Sequence, residues 1–155
     1  MPRRPPVVLL RAIAAALVLG TVVGCSAQVA VKPYVIDEAS IAACDTFYEA
    51  LPTTLAGQQS AEVVADRAAA WGDPAIIVRC GVEAPAALTL DARCDYVSGI
   101  GWFTERAGKD YLFTTIGRTF FISVEVPAAY EPAADVLVEL AKPIAAHDPV
   151  VKDCV

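Results

Sequence analysis

The segment that ends at Cys25 is the strongest constraint on the fold, because cleavage before Cys25 would leave residues 1–24 out of the mature domain. Arg3 and Arg4 give a basic start, Ala12 to Val23 is apolar, and small residues come just before Cys25. This three-part layout is typical of a signal peptide. A transmembrane anchor is the alternative, but the apolar run is shorter than the roughly 20 residues that a bilayer core requires.

The residues Val22-Val23-Gly24-Cys25 resemble the bacterial lipobox. In that class of signal the cysteine thiol is diacylated and the chain is cut before it. One acyl chain holds a protein only marginally, so the two or three chains of a lipoprotein give lasting attachment. We therefore expect a lipoprotein signal peptide over residues 1–24 and a palmitate-type lipid anchor on Cys25, at the extracytoplasmic face of the cell membrane. Export by the general or the twin-arginine pathway stays open.

The rest of the chain, from Cys25 onward, is strongly acidic. The segment before Cys25 holds three of the twelve basic residues and none of the 18 acidic ones, which leaves a formal charge of −9. Nucleic-acid binding needs a basic face, so no nucleic acid is expected as a partner. The expected partners are the membrane, through acyl chains on Cys25, and an envelope protein, lipid or wall component.

Four cysteines remain once Cys25 is assigned to lipid, namely Cys44, Cys80, Cys94 and Cys154. An even number in an oxidising compartment predicts two disulfides, and the sequence alone allows three pairings. Their spacing fits neither a redox-active dithiol nor a zinc cluster. Structural bridges are therefore predicted, without a metal or another cofactor.

Residues 25–37 have little periodicity and are predicted to be a lipidated tether, which reaches at most roughly 40 Å when extended. Their Val, Tyr and Ile content leaves open that part of the tether packs as an edge strand. Residues 38–155 then form a single globular domain. A first helix is predicted from Asp37, its N-cap, to the residue before Pro52, with Cys44 facing inward.

An antiparallel meander is predicted in the middle of the chain. Residues 53–61 are rich in turn formers, and residues 71–74 are predicted to be a turn. Between them, residues 62–70 fit a helix by their alanine content or an extended segment by Val63-Val64, and both alternatives stay open. The predicted strands are Ala75–Cys80, which Gly81 ends, Tyr96–Phe103 with a break at Ser98-Gly99, Tyr111–Ile116 and Thr119–Val126.

A second helix is predicted from about Pro132, with Pro143 kinking or ending it. Helix, strands and helix together predict an α+β fold, in which an antiparallel sheet of about four strands is covered by an N-terminal and a C-terminal helix.

Catalytic residues are not predicted. His147 is the only histidine and lies in a polar stretch near the chain end, where no nucleophile adjoins it. Carboxylate pairs such as Asp91 with Asp95, or Asp73 with Glu83, would suit an envelope hydrolase or transferase, although chance explains them in so acidic a chain.

A candidate binding surface consists of Trp71, Arg79, Trp102 and Arg118. The tryptophans pack in a core or line a groove, and the arginines hold an anion together or pair with nearby carboxylates. A third alternative is a carrier of an apolar ligand, with a cavity lined by Trp102, Phe103 and Phe120.

The segment Trp71-Gly72-Asp73-Pro74, running into Arg79-Cys80-Gly81, resembles a family of exported proteins and lipoproteins from actinobacteria, the domain of unknown function 3515. Gly101-Trp102, Thr114-Thr115-Ile116-Gly117-Arg118 and Val124-Glu125-Val126-Pro127 also match its pattern. The resemblance implies cellular address and taxon but no activity. It favours the pairing of Cys44 with Cys80 and of Cys94 with Cys154, although a local Cys80 to Cys94 bridge is the alternative. The function expected is that of a non-catalytic binding or assembly module.

Overall fold

The structure is a computed structural model that describes Met1, residues 28–65 and residues 67–153. The lipobox, the lipid attachment residue Cys25 and the last cysteine, Cys154, lie outside these ranges. Within them, no helix is both long enough and apolar enough to cross a bilayer.

An eight-stranded antiparallel sheet forms the centre of the fold. Its strands follow one another in space as β2, β3, β5, β6, β10, β9, β8 and β7. Their bounds are β2 Thr54–Leu55, β3 Gln58–Ala61, β5 Ala68–Trp71, β6 Ile76–Val82, β7 Asp95–Val97, β8 Ile100–Ala107, β9 Asp110–Ile116 and β10 Phe121–Val126. A separate parallel pair consists of β1 Val29–Ala30 and β4 Val63–Val64. The predicted α+β class and antiparallel sheet are confirmed, but the predicted number of strands is wrong.

The extra strands lie where the sequence signal is weak. Residues 53–61, predicted as turns, contain β2 and β3, and the unassigned stretch before Trp71 contains β4 and most of β5. β5 is three alanines and a tryptophan, a composition with low strand propensity. It forms because Ala68 to Trp71 pair in register with Arg79 to Ile76 of β6. Trp71 therefore ends this strand, and residues 72–74 of the predicted turn are a turn.

Tight turns connect the strands of the meander. Ser98 and Gly99 both have positive φ, at 49° and 80°, as a type I′ hairpin requires, so they separate β7 from β8. Gly81 was predicted to end β6, but the strand continues through it to Val82. Gly81 has φ +72°, and a Cβ atom there would lie 2.7 Å from Cγ1 of Ile36.

The helices complete the core on one face of the sheet. Asp37 caps a short 3₁₀ helix, Glu38–Ser40, by accepting from the N–H of Ala39 at 3.3 Å, and α1 follows as Ile41–Glu49. The 3₁₀ helix Ala128–Tyr130 precedes α2, which is Ala134–His147. α2 passes through Pro143, so this proline does not end it.

One sheet face packs against these helices. Ile76, Val78 and Cys80 are fully buried, as are their neighbours Ile122 and Val124 on β10. This alternation agrees with the sequence pattern of both strands. α1 contributes Cys44 and Phe47 to the same core cluster, and α2 contributes Leu137, Leu140 and Ile144. We call this the core face and its opposite the outer face.

Most of the predicted tether packs against the domain. β1 pairs with β4, Val31 is buried, and the Tyr34 hydroxyl donates to the carbonyl of Cys80 at 2.9 Å. The N–H of Asp37 donates to the carbonyl of Gly81 at 3.0 Å. The prediction of a tether over residues 25–37 is therefore corrected for residues 29–37, and the packed edge strand, which was the open alternative, is present.

Candidate functional site

A groove of about 310 Å³ on the outer face of the sheet is the candidate site. Its floor is a row of three neighbouring residues on adjacent strands: Arg79 on β6, Ser123 on β10 and Thr114 on β9. The two hydroxyl residues are buried, Ser123 with 6% and Thr114 with 2% of the residue exposed. Small polar side chains at these positions leave open space above the sheet.

The next row on the same face extends this floor toward β8. Leu112 of β9 pairs with Glu125 of β10 on one side and with Glu105 of β8 on the other. Leu112 and Glu105 both line the groove. The floor therefore contains an arginine, a carboxylate, two hydroxyls and one apolar side chain.

The groove walls come from two segments outside the main sheet. Lys32, Pro33 and Tyr34, which follow β1, form one wall. Glu83 and Pro85, which follow β6, contribute on the other side. Tyr34 is fixed because its hydroxyl donates to the carbonyl of Arg67 at 2.7 Å as well as to that of Cys80.

Charges of both signs border the groove. Arg79 pairs with Glu125, with 3.3 Å between Nη2 and Oε2, and its side chain is only 13% exposed. Lys32 and Glu83 are exposed, and Glu105 is partly buried. A ligand with both a cationic and an anionic group would therefore find partners for each.

Arg118, the other predicted arginine, lies in a different environment. Its guanidinium donates to the carbonyl of Asp148, and its backbone forms an antiparallel bridge with Val150. The structure thus places Arg79 at the groove and Arg118 against the C-terminal segment. Arg79 pairs with a carboxylate, as one of the two predicted alternatives has it. Arg79 and Arg118 do not form an anion site together.

Asp148 next to Arg118 is a buried carboxyl with a perturbed pKa. Burial raises the pKa of this group to about 6, against the opposing effects of hydrogen bonds from backbone N–H groups and of Arg118. Its Oδ1 accepts from the N–H of Thr119 at 3.0 Å and of Phe120 at 3.3 Å. Asp148 therefore holds the C-terminal segment against the start of β10.

Both tryptophans of the predicted binding surface are core residues. Trp71 is 1% and Trp102 is 0% exposed. The indole N–H of Trp71 donates to the carbonyl of Pro52 at 2.9 Å, and Trp102 meets Phe113 edge to face with 6.3 Å between centroids. This corrects the predicted surface, because buried rings offer nothing to a partner. Burial of Trp102 and Phe120 in the core also counts against a ligand cavity lined by them.

The contacts of Asp91 and Asp95 do not support their use as a catalytic pair. Asp95 bonds to Arg93 at 2.7 Å and to Thr104 at 2.9 Å, while a hydrogen bond from Thr89 lowers the pKa of Asp91. A carboxyl that acts as a general acid needs a raised pKa. His147 borders a groove between α2 and the segment after α1, in which no described lining residue is a serine, threonine or cysteine. Among the described residues, no cluster of three or more His, Cys, Asp or Glu side chains is arranged to hold a metal ion.

The disulfide between Cys44 and Cys80 confirms the pairing that the family resemblance favoured. It links α1 to the centre of β6. Cys94 is disulfide-bonded too. Cys154 lies outside the described residues, so the predicted second pairing stays a prediction.

Comparison with known families gives one match. A family model described as "Protein of unknown function (DUF3515)" matches residues 5–152. The chain belongs to this family. The match includes every strand of the sheet and all residues of the groove. No curated protein and no solved structure matches the chain.

Among the groove residues, the sequence singled out Arg79 for the binding surface and Glu83 as a possible catalytic carboxylate, but not the others. The alternation along β10 does place Ser123 on the face opposite the core. Nothing in the sequence indicates that residues 32–34 fold back beside it, since that depends on contacts with Arg67 and Cys80 far along the chain.

Proposed function

We propose that this protein is a membrane-anchored lipoprotein of the cell envelope, whose domain is a non-catalytic binding module with the outer-face groove as its site. The anchor is supported by the signal-like segment and by the lipobox that ends at Cys25. The protein then acts at the extracytoplasmic face of the cell membrane.

A single structural observation carries the binding half of the proposal. One wall of the groove consists of residues 32–34, which lie seven to nine positions after the proposed lipid attachment at Cys25. A ligand in the groove would thus be held next to the membrane. The site is concave, has a few polar groups among apolar ones, and is of the size of a small-ligand site.

The groove chemistry favours binding over catalysis. Arg79 is engaged by Glu125, and the floor hydroxyls of Ser123 and Thr114 have no histidine beside them among the described lining residues. Activation of a hydroxyl nucleophile requires a neighbouring base of suitable pKa. Recognition by hydrogen bonds and apolar contact needs no such group.

The test is photo-crosslinking in the native membrane with the lipidated protein. A benzoylphenylalanine residue replaces Pro85 in the groove wall, and the matched control places it at Lys142, which is exposed on α2. We expect a reproducible adduct from Pro85→benzoylphenylalanine and none from Lys142→benzoylphenylalanine. Equal adduct patterns from the two positions would show that the groove is not a specific site.

A further inference from the structure

We infer that the groove faces the bilayer and binds the head group of a membrane phospholipid that carries a phosphate and a primary ammonium. This inference rests on the proposed function, since it takes Cys25 as the lipid attachment point. It goes further by naming the ligand class and the face of the domain that meets the membrane.

The number of residues between Cys25 and β1 limits how far β1 can lie from the membrane surface. β1 begins at Val29, four positions after Cys25. Four residues span at most about 14 Å when fully extended. Because the acyl chains lie in the bilayer, the backbone of Cys25 is at its surface, and β1 is held within that distance of it.

The path of the chain after β1 favours one orientation of the domain on the membrane. Lys32, Pro33 and Tyr34 pass along the groove on the outer face. The chain then reaches Ile36, which lies against Gly81, and enters α1, whose Cys44 is bonded to the core face. Along the chain the groove wall therefore lies between the anchor and the helices, which supports an orientation with the groove on the membrane side.

Exposed apolar side chains near the anchor suit this orientation. Val35 is 72% and Val64 is 57% exposed, and Val64 pairs with Ala30 of β1. Two exposed valines close to the attachment point would contact the apolar side of the lipid–water boundary. This contact removes apolar surface from water, which is favourable.

The charges of the groove match a head group with two opposite charges. Lys32 can donate to phosphate oxygens, and so can the N–H groups of Arg79 that Glu125 does not occupy. Glu83 and Glu105 can accept from an ammonium group. A purely anionic head group has no cation to pair with Glu83 and Glu105, so these carboxylates would repel it.

An ammonium that carries hydrogens fits better than a quaternary one. Quaternary ammonium groups are recognised by cages of aromatic faces. The described lining of the groove has one aromatic residue, Tyr34, while two carboxylates are available as acceptors. The geometry therefore favours an ethanolamine-type head group over a choline-type one.

The experiment uses full-length lipidated protein in vesicles of defined composition. Intact mass first establishes acylation, whose absence refutes the proposed function itself. Pro85→benzoylphenylalanine is then photoactivated in vesicles that contain phosphatidylethanolamine or phosphatidylcholine, and lipid adducts are counted by mass spectrometry. Lys142→benzoylphenylalanine on the helix side is the matched control.

We expect lipid adducts from the Pro85 probe alone, mainly with phosphatidylethanolamine. Lys32→Gln in the same background should lower adduct yield about tenfold, as expected for removal of one charge-assisted hydrogen bond, whereas Lys32→Arg should retain it. Acylated protein that gives no adduct, equal adducts from both probes, or a yield independent of the head group would each overturn the inference.

Discussion

Replacement of Asp148 by asparagine should stabilise the fold at pH 8 and leave it unchanged at pH 4. Asp148 is fully buried, and its pKa is raised from 3.8 to about 6. A raised carboxyl pKa means that the neutral form is favoured in the folded state. Its contribution to stability is therefore fully present below pH 3.8 and is lost as pH rises through about 6.

The magnitude follows from the same pKa values. Each pKa unit corresponds to about 1.4 kcal/mol, so ionisation of Asp148 costs the folded state up to about 3 kcal/mol at pH 8. Asp148→Asn keeps an oxygen that accepts from the N–H groups of Thr119 and Phe120, but it cannot ionise. The variant should therefore approach a gain of about 3 kcal/mol above pH 7 and match the natural protein near pH 4.

Urea unfolding at a series of pH values, followed by tryptophan fluorescence, measures this difference. Asp148→Ala is the control, because it leaves two N–H groups without their acceptor and should destabilise by about 1–3 kcal/mol per group at pH 4, whereas at pH 8 the removal of the ionisation cost offsets part of this loss. The reasoning is refuted if Asp148→Asn lowers the free energy of unfolding equally at pH 4 and pH 8.

Three further predictions concern the connection of α1 to β6. Cys44→Ser with Cys80→Ser should lower the free energy of unfolding by about 3–4 kcal/mol, the loop-closure value for the 36-residue separation, and an unchanged urea midpoint would contradict this. Gly81→Ala should cost about 1–3 kcal/mol, since alanine is strained at φ +72° and would press on Ile36; a thermal midpoint equal to that of the natural protein would refute it. Tyr48→Phe removes the acceptor of the Cys80 N–H at 2.8 Å and should cost about 1–3 kcal/mol in urea unfolding, whereas no loss would show that this N–H finds another acceptor.

The parts of the fold with strong periodicity were predictable from the sequence. β10 alternates buried Ile122 and Val124 with outward-facing side chains, and Asp37 caps the 3₁₀ helix that leads into α1. Local physics suffices there, because burial of one face and satisfaction of the first N–H groups are set by adjacent residues.

Strands without such a pattern were not predictable. Ala68 to Trp71 form β5 because β6 offers a partner edge, and Ala68 pairs with Arg79. Lys32 reaches the groove only because Tyr34 is held by carbonyl groups of distant residues. The candidate site consists of such long-range contacts, so the sequence indicated Arg79 and could not indicate its surroundings.

Acyl labelling of Cys25 is the most direct test of the account, because both the membrane location and the orientation of the groove depend on it. The natural protein should incorporate radiolabelled palmitate and lose the segment that precedes Cys25. Cys25→Ala should incorporate none and accumulate as precursor, while the neighbouring control Ser26→Ala should be labelled normally. Label retained in Cys25→Ala would contradict the account.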